Sequence, residues 1–210
     1  TNIYAGRLQY NLDRTLNRES WLGATYLREN QGNRSFELYG ADAQISFGED
    51  AQLIAEFAHS ASDFDLSGPI SGSAYRLELE GSATDWLAGR IYFSHTDAGF
   101  TNAATTSFVP GQTRYGAELI ATLSETTTIR ARYDHEDNVG TAPRPLLTLS
   151  ELLETGVVAT PGSRVDNSLD TFSLGIVQQL GNSNLEFDWI HRERVDRISP
   201  SGLSGSSDQL

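Results

Sequence analysis

The sequence has no cysteine, which excludes disulfides, thiol nucleophiles and thiolate metal sites. Lysine is absent too: all 15 basic residues are arginine, and a codon bias accounts for that as readily as any function. No apolar run approaches the ~18–20 residues that a spanning helix requires, so a helical membrane protein is excluded. A composition of 38% hydrophobic residues leaves membrane strands open. Strands of a transmembrane barrel alternate lipid-facing and lumen-facing side chains, and their average hydropathy looks soluble. Basic surface is also in short supply. A formal net charge of −13 argues against nucleic acid as a partner, which needs cationic groups to neutralise phosphates. No signal peptide is visible at Thr1, so the expectation is a removed leader or a segment of a longer chain.

What the sequence has in abundance is period-two alternation. In "IYAGRLQYNL", Tyr4, Gly6, Leu8, Tyr10 and Leu12 share one face, and Ala5, Arg7, Gln9 and Asn11 the other. "AYRLELEGS" sets Tyr75, Leu77 and Leu79 against Arg76, Glu78 and Glu80. The pattern predicts an all-β chain with strands near 2–12, 20–29, 35–48, 51–61, 72–82, 85–96, 112–124, 126–137, 168–180 and 184–195. Most of these exceed the ~5–6 residues usual in soluble sheets and match the ~9–11 tilted residues that cross a bilayer. One stretch departs from the pattern. "RPLLTLSELLETG" reads as a short helix near 148–155 in the longest connection, with Thr148 and Glu151 as a capping box and Gly156 as the stop. Its leucines fit a small satellite core beneath the loop, a constriction folded into a pore mouth, or a partner contact.

The connections alternate. "FGEDA", "GSATD", "LSETT" and "LGNSN" are tight turns, whereas "ENQGNR", "SASDFDLSGPISG", "TDAGFTNAATTSFVPGQ" and the segment from Asn138 to Asn167 belong to the loops of the other end. Short turns at one end and long polar loops at the other predict an up-and-down antiparallel barrel. Hairpins such as "RYGAELIATLSETTTIRARYDHED" (residues 114–137) resemble those of Gram-negative outer-membrane β-barrels, porin-like channels and the barrel regions of large surface proteins. The resemblance covers the whole chain. It implies the bacterial outer membrane, extracellular long loops, and outer-membrane lipid and lipopolysaccharide as partners. With tight turns in the periplasm, both ends of a ten-strand array lie outside, so further strands or another chain are expected to complete a larger barrel. A barrel region over 1–198 and a flexible tail or start of a loop over 199–210 are the expected divisions. A β-sandwich would explain the alternation equally well but not the strand length.

All four histidines sit two residues after an aromatic: Phe57 and His59, Phe93 and His95, Tyr133 and His135, Trp189 and His191. Each has the parity of the apolar residues of its strand, and the four strands run in the same direction. Alternate strands lie about 10 Å apart, too far for shared ~2 Å metal ligation. Ser94 and Asp134 fall on the opposite face from their histidines, which argues against a catalytic triad. These eight residues are expected to form an interfacial belt at headgroup level. The first ascending strand carries Arg28 at the equivalent place.

The other face collects Arg7, Asp42, Glu56, Arg76, Glu78, Glu80, Arg90, Arg114, Glu118, Arg130, Arg132, Asp134, Glu186, Asp188 and Arg192, with Glu136 above them. Nearly balanced charges of this kind suit a hydrated, ion-paired pore wall, and they equally suit a wall that is only held together by its ion pairs. Most of the net negative charge then falls in loops, where Asp63 and Asp65 are candidates for divalent cations bridging lipopolysaccharide. The expectation is a non-enzymatic, cofactor-free pore or wall module; the alternative is a membrane anchor or secretion platform for a surface domain.

Overall fold

The computed structural model describes residues 2–32, 34–64, 68–101, 110–141, 164–198 and 205–209, with Phe64 and Thr141 defined by their backbone alone. The expected helix at 148–155 and Asp65 lie outside the described residues.

The described residues form one antiparallel sheet in simple sequence order, β1 to β11. Its strands are β1 (Asn2–Asp13), β2 (Ser20–Gln31), β3 (Arg34–Phe47), β4 (Ala51–Phe64), β5 (Gly68–Thr84), β6 (Leu87–Thr96), β7 (Gln112–Ser124), β8 (Thr127–Thr141), β9 (Arg164–Leu180), β10 (Ser183–Asp196) and β11 (Gly205–Gln209). The backbone of each strand lies beside that of its sequence neighbours alone, so the sheet is a single layer with β1 and β11 at its open edges among the described residues. The expectation of an all-β, up-and-down antiparallel array is met. Alternation over ten or more residues leaves no helical stripe, and short Gly- and Asn-bearing turns return each strand beside the last. Gly48 (φ 74°) and Gly181 (φ 61°) sit at two of these turns, in the left-handed region where a Cβ is strained.

Three expectations need correction. The sheet has eleven strands among the described residues, because residues 205–209, expected as tail or loop, pair with Ile190–Arg194 of β10. The stretch "SASDFDLSGPISG" is mostly strand: β4 and β5 stay in register up to Asp63 opposite Pro69 and Phe64 opposite Gly68. Proline is tolerated there because it lies at the start of its strand, and Gly68 (φ 70°) accommodates the reversal. The "ENQGNR" connection is likewise short, since β2 reaches Gln31 and β3 begins at Arg34. Contrast between long and short connections is therefore confined to fewer loops than the composition implies.

Burial is the most informative property of the layer. Only Leu38, Ala74 and Phe100 are buried hydrophobic residues among those described. By contrast, Leu8 is 75% exposed, Leu77 49% and Phe187 49%. A water-soluble sheet buries its apolar face against a second layer; none covers this one among the described residues.

Candidate functional site

The site is a wall with two chemically distinct faces. Register places all fifteen expected pore-lining residues on one of them. Asp42 pairs with Glu56, Glu56 with Arg76, and Glu80 with Arg90, then Arg90 with Glu118 and Glu118 with Arg132. The acid–arginine–acid–arginine row alternates in sign, the arrangement that stabilises cross-strand pairs. Most members are brought together. The Glu78 carboxylate, 7% exposed, accepts from Arg76 Nη2 at 2.5 Å and from Arg90 Nη1 at 3.2 Å. Arg76 also reaches Glu56 at 3.5 Å and Arg90 reaches Glu118 at 3.7 Å. Asp134 accepts both Arg114 Nε (2.9 Å) and Nη2 (2.5 Å), together with Arg132 Nη2 (3.1 Å). Gln52 donates to Glu80. Arg130, Glu186, Asp188 and Arg192 share the face but form no ion pair among the described residues.

Mid-strand glycines let side chains reach across a strand. Arg7 on β1 binds Asp42 on β3 through two bonds of 2.8 and 2.6 Å, passing over Gly23 on β2. A Cβ at Gly23 would lie 2.7 Å from Asp42 Oδ2 and 2.8 Å from Arg7 Nη2. Tyr92 on β6 donates to Asp134 on β8 at 2.8 Å, passing over Gly116 on β7. Asp188 likewise leans over Gly175. These glycines are needed for space, and extended backbone imposes no positive φ on them. Gly116→Val is expected to sever the Tyr92–Asp134 bond at a cost of about 1–3 kcal/mol. A fall of that size in the denaturant unfolding free energy, with loss of tyrosine near-ultraviolet circular dichroism, is the result to look for.

One apolar nest interrupts the polar face near its loop end. Phe100, 1% exposed, leaves the β6–β7 connection and packs with Leu38 and Ala74, beside Leu27, Phe36 and Ala58. The Thr101 amide donates to Ser60 Oγ at 2.9 Å, and the Phe100 amide to the Asp97 carbonyl at 3.0 Å. Gly72 carries no side chain where the Phe100 backbone passes.

The opposite face carries Phe57, His59, Phe93, His95, Tyr133, His135, Trp189 and His191, the eight residues expected at headgroup level; all share the parity of the apolar residues and form a belt across the sheet. Register reveals a partner set that spacing alone did not: Tyr39 lies opposite His59, Tyr75 opposite His95, Tyr115 opposite His135 and Phe172 opposite His191. Tyr4 opposite Arg28 makes the first hairpin the fifth instance. Three of these pairs bring their rings together, with centroids 5.2, 5.0 and 4.7 Å apart for Tyr39–His59, Tyr75–His95 and Tyr115–His135. In the fourth, His191 stacks on Trp189 at 6.1 Å. On the following strand each histidine Nδ1 meets a polar group: Ser73 Oγ (2.9 Å), Thr113 Oγ1 (2.8 Å), Asp170 Oδ1 (2.7 Å) and Asp208 Oδ1 (2.7 Å). The signal was present as an aromatic about twenty residues before each histidine.

The acids flanking His135 divide between the faces. Asp134 and Glu136 lie opposite it, whereas Asp137 shares its face and sits 3.0 Å from Nε2. The ring therefore bridges Asp137 and Asp170, and both nitrogens can donate only as the imidazolium. Arg197, beyond the end of β10, donates to Asp137 and Asp166 at 2.7 and 2.9 Å. No group of three or more His, Asp or Glu side chains suited to a metal occurs among the described residues.

Above the belt, Asp97 is pinned by the Ser73 amide at 2.8 Å and His95 Nε2 at 3.0 Å. Those two bonds, the Ser73 amide first, hold its carboxyl below the ordinary value of 3.8. Because the folded-state pKa is the lower one, the pin contributes above the unfolded value and is lost as pH falls through the folded one. Amide exchange at Ser73, corrected for intrinsic rate, is expected to lose protection only below the ordinary carboxylate range. The Asp97→Asn protein should show no such pH step.

Compared with known proteins, the chain matches no family model, no curated protein and no solved structure.

Proposed function

We propose that the sheet is an arc of a transmembrane β-barrel in a bacterial outer membrane, its polar face lining a hydrated lumen and its apolar face meeting lipid. The observation that carries this reading is the constant step of the aromatic belt. His59 pairs with Ser73, two residues before Tyr75; Tyr75 pairs with His95. His95 pairs with Thr113, two before Tyr115, and His135 with Asp170, two before Phe172. The belt therefore steps one residue per strand in a constant direction. With a rise of about 3.3 Å per residue and a strand spacing of about 4.8 Å, strands are inclined by about 35° to the normal of the belt. A belt at one height thus implies the tilt of a closed barrel wall, ~35–45°.

Thickness agrees. On β3, the outward residues from Tyr39 to Phe47 cover about 22 Å along that normal at ~3.3 Å per residue, close to the ~25 Å apolar band of outer-membrane barrels. Tyr39 and Phe47 are 47% and 55% exposed, so this band has no protein cover among the described residues. Unpaired strand edges in lipid are forbidden, so the open edges at β1 and β10–β11 need further strands.

A pore wall without enzymatic activity or cofactor is the function that the balanced Arg–Glu–Asp face supports. The Phe100 nest favours a second reading, a membrane anchor whose lumen is partly filled. Reconstitution into planar bilayers separates the two. A pore gives stable single-channel steps; an anchor inserts, shown by flotation with liposomes, without any stable open level.

A further inference from the structure

Among the described residues His135 is the one belt histidine held between two carboxylates, and we infer that it is a proton-operated clamp on the loop ends of β8, β9 and β10. Its Nδ1 lies 2.7 Å from Asp170 on β9, and its Nε2 lies 3.0 Å from Asp137 on its own strand. Asp137 in turn accepts from Arg197, just beyond β10, at 2.7 Å. Arg197 reaches back to β9, where its side chain and its amide each donate to Asp166 at 2.9 Å. A string of charged groups thus runs from β9 through the ring to the end of β10 and back. It lies beside the last β8–β9 pairs, from Asn138 opposite Asn167 to Thr141 opposite Arg164.

The charge on the ring decides whether this string is continuous. An imidazolium donates from both nitrogens, whereas a neutral imidazole has one donor and one lone pair. Ionised carboxylates only accept, so a neutral ring must turn its lone pair on Asp137 or on Asp170. Whichever tautomer forms, one charge-assisted hydrogen bond becomes a repulsive contact, and the string is cut at His135.

The other three histidines are exempt. His95 Nδ1 meets the Thr113 hydroxyl and its Nε2 meets Asp97. In the neutral state that hydroxyl donates to Nδ1, and Nε2 keeps its hydrogen for Asp97. His59 and His191 bond Ser73 Oγ and Asp208 Oδ1 through Nδ1, and the tautomer protonated at Nδ1 retains both bonds.

The groups packed around His135 favour its charged form. Tyr115 on β7 stacks on the ring with centroids 4.7 Å apart. Tyr133, two residues before it, donates its hydroxyl to Asp170 at 2.7 Å. Asp134 and Glu136 lie on the opposite face, and Arg197 meets the far side of Asp137. A ring 14% exposed, with a carboxylate at each nitrogen, is stabilised as the imidazolium. While Asp137 and Asp170 stay ionised, the clamp is complete on the acid side of the ring's titration and is cut as pH rises through it. This holds whether or not the wall belongs to a barrel.

Two signals from the full chain test the clamp across pH: the titration of each histidine ring by nitrogen NMR, and amide exchange corrected for intrinsic rate. The Arg197 amide donates to the Asp166 carbonyl, and the Asp97 amide, beside His95, donates to the Ser73 carbonyl. Protection at Arg197 is expected to fall at least about tenfold as pH rises through the His135 titration, the loss of one hydrogen bond to a charged group. Asp97 should keep its protection through the His95 titration. Asp137→Asn should abolish the step, because its amide nitrogen can donate to the neutral ring while its oxygen still accepts from Arg197. His135→Gln should abolish it too, since nothing there titrates. The inference is overturned if Arg197 shows no step in the native chain, or if the step persists in either variant. An equal step at Asp97 through the His95 titration overturns it as well, because the response would then be common to the belt.

Discussion

Replacing Glu78 with alanine is expected to lower the unfolding free energy by about 2–3 kcal/mol, the largest single effect among the polar-face residues. Its carboxylate is the most enclosed acid of the wall and binds two arginines at once. Removing one partner of a buried ion pair costs about 3–5 kcal/mol because the remaining charge is stranded. Here the arginines are about 40% exposed and keep Glu56 and Glu118 within reach, which places the effect at the lower end. Glu118→Ala, at an acid 37% exposed, should cost under about 1 kcal/mol by the same argument. Urea titrations of the two variants in a common detergent give the comparison. Equal effects would mean that enclosure of Glu78 contributes nothing.

Substitution in the apolar nest should rival this. Phe100→Ala is expected to cost about 3 kcal/mol, the lower end of the range for a buried aromatic. Gly72→Ala should act from the other side, because its Cβ would meet the Phe100 backbone amide, which cannot move aside as a side-chain tip can. Both variants should abolish exchange protection of the Thr101 amide, now bonded to Ser60 Oγ at 2.9 Å. If the polar face lines a lumen, as proposed, both should also raise single-channel conductance, since the segment from Asp97 to Thr101 packs on that polar face. Unchanged protection in both variants would refute the nest as the anchor of this segment.

The strands and their two faces were legible in the sequence because alternation is the direct imprint of a pleated wall with unlike surroundings. Tyr75, Leu77 and Leu79 against Arg76, Glu78 and Glu80 assigns both faces of β5 without further information. β11 was not legible, because "GSSDQ" has no apolar alternation and owes its strand conformation to pairing with Ile190–Arg194. The β4–β5 reversal was read too long, since serine, glycine and proline signal a loop even where the backbone continues to pair. The belt was half legible. His59, His95, His135 and His191 announce themselves two residues after an aromatic, but Tyr39, Tyr75, Tyr115 and Phe172 meet them only through cross-strand register. The same holds for Gly23 and Gly116, whose role lies in side chains arriving from neighbouring strands. Phe100 looked like an ordinary loop residue, because its burial depends on where the β6–β7 connection folds.

The central claim is that one face of the wall meets hydrocarbon and the other meets water. Trp189 lies on the belt face and Trp21 on the polar face, where Arg7 stacks over its ring at 5.6 Å. Two single-tryptophan proteins, each keeping one of these and replacing the other and Trp86 by phenylalanine, can be reconstituted into bilayers of chain-brominated lipid. The account predicts strong bromine quenching and a blue-shifted emission for Trp189, with Trp21 scarcely quenched. Quenching of Trp21 in preference to Trp189, or a protein that stays in water with neither quenched, would contradict it.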